Sequence, residues 1–92
     1  MAQTVLVVDD EWQIRKLAAM ALESGGYRVE QAESATKALE VMVEQRIDLV
    51  FTDWMMPGMD GRELIEKIRE QPHGKEVPVV VFSGTKPPDN ID

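Results

Sequence analysis

Val5-Leu6-Val7-Val8-Asp9-Asp10-Glu11 and Ile47-Asp48-Leu49-Val50-Phe51-Thr52-Asp53 are the two stretches that decide the fold. Each is a short apolar run that ends in acid. In residues 4–8 the β-branched and apolar residues do not alternate with polar ones, which is the pattern of a strand covered on both faces in a parallel sheet. If the two runs are parallel neighbours, Asp9, Asp10 and Asp53 meet at one sheet edge. Two carboxylates about 4 Å apart at an effective dielectric of about 20 repel by roughly 4 kcal/mol, so a cluster of three calls for a cation or a proton among them.

Working outward, Ile14, Leu17, Ala18, Ala21 and Leu22 fall at i, i+3, i+4, i+7 and i+8, which predicts a helix over residues 11–24 with those positions on its packed face. Gly25-Gly26 stops it. A short strand over 27–31 leads to Ser34, an N-cap, and Ala35, Ala38, Leu39, Met42 and Val43 repeat the helical spacing. The third strand is expected over 47–52. Leu64, Ile65 and Ile68 mark a third helix that begins near Gly61 and ends before Pro72. Residues 77–82 read as a fourth strand, with Pro78 tolerable only near its start because it cannot donate to the ladder. From Gly84 onward turn formers dominate and periodicity is lost.

The order βαβαβαβ predicts an α/β fold: an open, doubly wound parallel sheet with right-handed crossovers and helices on both faces. In such sheets ligands gather beyond the carboxyl ends of the strands, where the winding reverses. For the order 2-1-3-4 that place lies between strands one and three, where the three aspartates stand.

The 92 residues allow one domain, and the hydrophobic share of 43% beside 29% charged residues is ordinary for a soluble globular protein. No apolar stretch reaches the length of a bilayer span, and Met1-Ala2-Gln3-Thr4 runs straight into a strand, so a cytoplasmic, non-membrane protein is expected. With no cysteine, disulfides, thiolate metal sites and cysteine nucleophiles are all excluded. The net charge of -7 and the scattered basic residues argue against direct nucleic-acid binding. His73, the single histidine, sits between Pro72 and Gly74 and reads as a solvated loop residue.

The acids suit Mg²⁺ better than zinc, because Mg²⁺ prefers oxygen ligands and takes one or two carboxylates together with a phosphate. A carboxylate beside such a cation can be a nucleophile, and aspartyl phosphate is a recognised covalent intermediate. The reaction would be phosphoryl transfer, in which a hydroxyl such as that of Ser83 steadies the transferring oxygens.

At this point the chain resembles the receiver domains of bacterial two-component response regulators. The acidic end of the first strand, Asp53 at the phosphoacceptor position, the loop Met56-Pro57-Gly58-Met59-Asp60-Gly61 and Ser83 at the Ser/Thr switch position carry the likeness over residues 4–84. The strand order used above is that of chemotaxis receivers, so the fold assignment, a flavodoxin-like sheet, rests partly on this resemblance. The resemblance implies a phosphoprotein that takes a phosphoryl group on Asp53 from a histidine kinase or phosphotransfer protein and promotes its own phosphorylation and dephosphorylation without being a classical enzyme. It implies Mg²⁺ held by Asp10, Asp53 and the backbone carbonyl of Met55, with Asp9 assisting through water and Ser83 bonding the phosphoryl oxygen. Met55 also stands where receivers influence the lifetime of the phosphoryl group, and Trp54 reads as a packing or surface-contact residue, with a partner contact as the alternative.

A receiver normally continues through another helix, a fifth strand ending in a lysine before a proline, and a last helix. Lys86 precedes Pro87, but it lies too near Ser83 to take the lysine's role. Residues 1–84 are therefore read as a receiver truncated before its fifth strand and last helices, and 85–92 as an irregular tail. Strand four would then be an apolar edge, which invites pairing, so a homo-oligomer through that edge, an exchange of elements between chains, or completion by a separate fragment is expected. The alternative function is a receiver fragment inactive in phosphotransfer that acts in self-association or protein interaction. A small Mg²⁺-dependent phosphohydrolase fits worse, because neither Asp-x-Asp on the first strand nor a substrate cap is present.

Overall fold

The structure, a computed structural model, describes residues 2–53 and 60–81. Within them the chain forms β1 (Thr4–Val8), α1 (Trp12–Ser24), β2 (Arg28–Ala32), α2 (Ala35–Glu44), β3 (Leu49–Thr52), α3 (Gly61–Glu70) and β4 (Val79–Val81). The strands make one parallel sheet in the order β2-β1-β3-β4. This is the expected doubly wound arrangement. Trp54 to Met59, Phe82, Ser83, Lys86 and the remainder of the expected tail lie outside the described residues, as does the division at residue 84.

Right-handed crossovers that step in opposite directions from β1 put α1 on one face of the sheet and α2 and α3 on the other. Leu6, Val8 and Val50 join Ala35, Ala38, Val41, Met42, Leu64 and Ile68 in a single buried cluster on the second face. Val5 and Val7 point the other way and are equally buried, so β1 is covered on both sides, as its lack of alternation requires.

Several boundaries differ from the sequence reading, each for a local reason. β2 begins at Arg28 rather than Tyr27, because the Tyr27 N–H is spent on the Leu22 carbonyl (3.2 Å) in closing α1. Gly26 completes that turn at φ +96°, a backbone conformation a side chain would strain. β3 begins at Leu49 rather than Ile47, and Asp48 ties the lead-in to β1 by accepting the Thr4 N–H on Oδ2 (2.8 Å) and donating its own N–H to the Thr4 carbonyl (2.9 Å). The described part of β4 starts after Pro78, whose carbonyl accepts from the Val50 N–H (2.9 Å).

Two helix faces are also rotated from expectation. On α1, which packs on β1 and β2, the buried or half-buried positions are Arg15, Ala18, Ala19 and Leu22, and Ile14, Leu17 and Ala21 are exposed. Of the five apolar positions predicted for the packed face, Ala18 and Leu22 are half-buried, on the side of the helix that meets β1 and β2. On α2 the buried set is Ala35, Ala38, Val41 and Met42, and Val43 is 73% exposed instead of packed. Ser34 caps α2 by accepting the Lys37 N–H, and Asp60 caps α3 by accepting the Glu63 N–H (2.9 Å). Leu64 and Ile68 are buried as the spacing predicts. After α3, the Arg69 guanidinium donates to the Gly74 and Val77 carbonyls (2.8 and 2.6 Å), and this fixes the loop that delivers β4.

Candidate phosphoacceptor site

The parallel register places Val8 opposite Thr52, so Asp9 and Asp53 leave adjacent strands at the same level. The ladder runs on just far enough to orient both: the Asp53 N–H donates to the Val8 carbonyl (3.0 Å), and the Asp9 N–H donates to the Ala32 carbonyl (3.1 Å). Asp9, Asp10 and Asp53 then converge, each offering a carboxylate oxygen such that all three lie within 4.8 Å of one another. Asp9 is buried, Asp53 half-buried and Asp10 exposed, so the cluster runs from the interior out to solvent.

Asp9 is held through both its side chain and its carbonyl. Its Oδ1 accepts the Glu11 N–H (2.8 Å), which turns the chain from β1 into α1, and its carbonyl accepts from Arg15 Nη1 (2.7 Å). Burial, the largest cause, pushes the Asp9 carboxyl above its ordinary range. The charges of Asp53, Asp10 and Glu11 push the same way, and the Glu11 N–H opposes them. Beneath Asp53, the fully buried Thr52 hydroxyl donates to the Asp53 carbonyl (2.9 Å) and so satisfies a polar group in the core.

Among the described residues the donor set is all carboxylate oxygen, which suits a hard divalent cation, and the crowding of two acids against a buried third is what such a cation would relieve. His73 takes no part. It is exposed and lines a groove with Arg46, Asp48 and Pro78, residues that precede β3 and β4, at the end of the sheet away from the acids. Among the predicted site residues, Asp9, Asp10 and Asp53 are brought together, and Met55 and Ser83 lie outside the described residues. Sequence reasoning gave Arg15 no role. Its signal is a lone charge on the packed side of α1, which becomes readable once the true packed side is known.

An open, parallel 2-1-3-4 sheet with acids at the ends of its first and third strands is the architecture of a receiver. The model of the response regulator receiver domain matches residues 5–91, and the chain belongs to that family. It is 36% identical over 90 residues to the phosphate regulon transcriptional regulatory protein PhoB of Pseudomonas aeruginosa, which covers 98% of this chain and 39% of that protein. The chain thus spans about two fifths of that relative's length. Among solved structures, the chemotaxis protein CheY4 of Vibrio cholerae superposes with a TM-score of 0.90 at 32% identity, over 96% of this chain and 73% of that one. The receiver domain of the sensor histidine kinase PA1611 from Pseudomonas aeruginosa superposes with a TM-score of 0.82 at 30% identity, over 88% of this chain and 66% of that one. That structure carries a magnesium ion coordinated in its active site cleft. Among the described residues no helix is long and apolar enough to cross a membrane.

Proposed function

We propose that this receiver is a phosphoacceptor signalling domain that takes a phosphoryl group on Asp53 from the phosphohistidine of a histidine kinase or phosphotransfer protein. An Asp53 carboxylate oxygen bonds to phosphorus as the phosphorus–nitrogen bond breaks, and the imidazole leaves with its electron pair and takes up a proton. The observation that carries this reading is the convergence of Asp9, Asp10 and Asp53 at the carboxyl ends of β1 and β3. Asp10, Asp53 and the backbone carbonyl of Met55 would hold Mg²⁺, with Asp9 assisting through water and Ser83 bonding a phosphoryl oxygen. When bound, the cation supplies counter-charge to the transferring phosphoryl oxygens. Asp9 keeps the turn rigid and the local charge high, and the Thr52–Asp53 hydrogen bond steadies the backbone that presents the acceptor.

The magnesium-bound receiver of the PA1611 kinase supports the choice of metal, and membership of the family supports the choice of phosphodonor. The test is intact mass after incubation with Mg²⁺ and a small-molecule acyl phosphate. One phosphoryl adduct is expected, absent with chelator and absent in Asp53→Asn. A folded wild-type chain that takes up no phosphoryl group overturns the reading.

A second reading, a fragment active in self-association, draws on β4: it is an edge strand among the described residues, and its Val80 is 43% exposed. Sedimentation velocity separates the two readings, because an unphosphorylated dimer that Val80→Lys dissolves would favour assembly through that edge.

A further inference from the structure

Arg15 is the one charged residue on the side of α1 that packs against the sheet, among Ala18, Ala19 and Leu22, and its two hydrogen bonds explain why it is there. Nη1 donates to the Asp9 carbonyl at 2.7 Å, and Nε donates to Gln31 Oε1 on β2 at 3.2 Å. Asp9 lies one residue past the end of β1, and the pairing of β1 with β2 ends at Val8 and Ala32, so the ladder has no further strand N–H to give the Asp9 carbonyl. The guanidinium supplies that donor. With its N–H on Ala32, its Oδ1 on the Glu11 N–H and its carbonyl on Arg15, Asp9 cannot turn without breaking one of these bonds. Asp10 is the next residue of the same turn, so whatever fixes the Asp9 peptide also sets where the Asp10 carboxylate stands relative to Asp53.

We propose that Arg15 is a positioning residue for the acidic cluster: its grip on the Asp9 carbonyl sets the spacing of Asp9 and Asp10 from Asp53, and thereby the affinity for a divalent cation and the rate of phosphoryl uptake. This rests on the proposed Mg²⁺-dependent function. Outer partners that orient metal ligands cost about 10- to 100-fold in affinity when removed, and a partner that acts through the backbone belongs at the lower end.

The test is calorimetric titration of the whole chain with Mg²⁺ alone, beside thermal unfolding in chelator. Arg15→Met keeps the aliphatic stem and is expected to bind Mg²⁺ about tenfold more weakly. Arg15→Lys keeps one donor and is expected to regain part of the loss. Gln31→Ala removes the other partner only and is expected to bind as wild type does. If Arg15→Met does not fold, Arg15→Leu takes its place with the same expectation. Wild-type affinity in the folded Met or Leu variant overturns the positioning role alone. A wild-type chain that binds no Mg²⁺ overturns the proposed function and this inference with it.

Discussion

Replacing Asp9 by Asn should make the cation-free protein more stable, although it alters a residue only 3% exposed. The fold raises the Asp9 pKa by burial first, and then by the charges of Asp53, Asp10 and Glu11. A carboxyl whose folded pKa lies above its unfolded value favours the fold while protonated, and that advantage is lost as pH rises past both values. At neutral pH the ionised group is therefore a net cost. At 4.8 Å, the outer limit of the cluster, and an effective dielectric of about 20, one like-charged pair repels by about 3.5 kcal/mol. Water around the exposed Asp10 and half-buried Asp53 screens most of this, which leaves about 1 kcal/mol to be recovered. Asn retains an oxygen to accept the Glu11 N–H, so the turn into α1 survives the change. About 1 kcal/mol corresponds to roughly 4–8 °C in a domain of this size. The assay is thermal unfolding at pH 7 in chelator. Acidification should close the gap between the two proteins, because wild-type Asp9 then gains its proton. Added Mg²⁺ should reverse the order, since binding at ten times the dissociation constant stabilises wild type by about 1.4 kcal/mol and the variant by less. A lower midpoint for Asp9→Asn in chelator would refute the electrostatic reasoning.

Gly74→Ala should destabilise the fold by about 3 kcal/mol, because an added Cβ would stand 1.9 Å from the Ile68 carbonyl oxygen in a loop that Arg69 already holds; urea denaturation measures it. On α2, Met42→Ala should cost about 2–5 kcal/mol, and its neighbour Val43→Glu should stay within about 0.5 kcal/mol, since Met42 is 2% exposed and Val43 73%. Equal losses at the two positions in the same denaturation experiment would contradict the observed rotation of α2.

The fold was legible because β1 and the α2 and α3 patterns are each strong on their own. Unalternating Val5 to Val8 matches a strand covered on both faces, and Ser34 caps the helix that follows it. The acidic site was legible for a topological reason: two strands that end in acids, once parallel and adjacent, must bring those acids together. What escaped the sequence was settled by tertiary competition. Tyr27 looks like a strand residue, but its N–H closes a helix. Ile14 and Leu17 have helical spacing, but the side of α1 turned to the sheet is the one that carries Arg15, Ala18, Ala19 and Leu22. Arg15 looks like surface charge in a linear reading and becomes a partner of Asp9 only when α1 lies across the end of β1. The roles of Met55 and Ser83 rest on motif position, because both lie outside the described residues.

The most direct measurement is residue-level localisation of the phosphoryl group. The chain would be phosphorylated with an acyl phosphate and Mg²⁺, reduced with borohydride, which converts an acyl phosphate to the alcohol, and mapped by peptide mass spectrometry. The proposed function predicts a single converted residue, Asp53, that disappears when chelator replaces Mg²⁺. Conversion at Asp9 or Asp10 instead, or an equal yield in chelator, would contradict the claim that these three strand-end acids form a cation-dependent phosphoacceptor centred on Asp53.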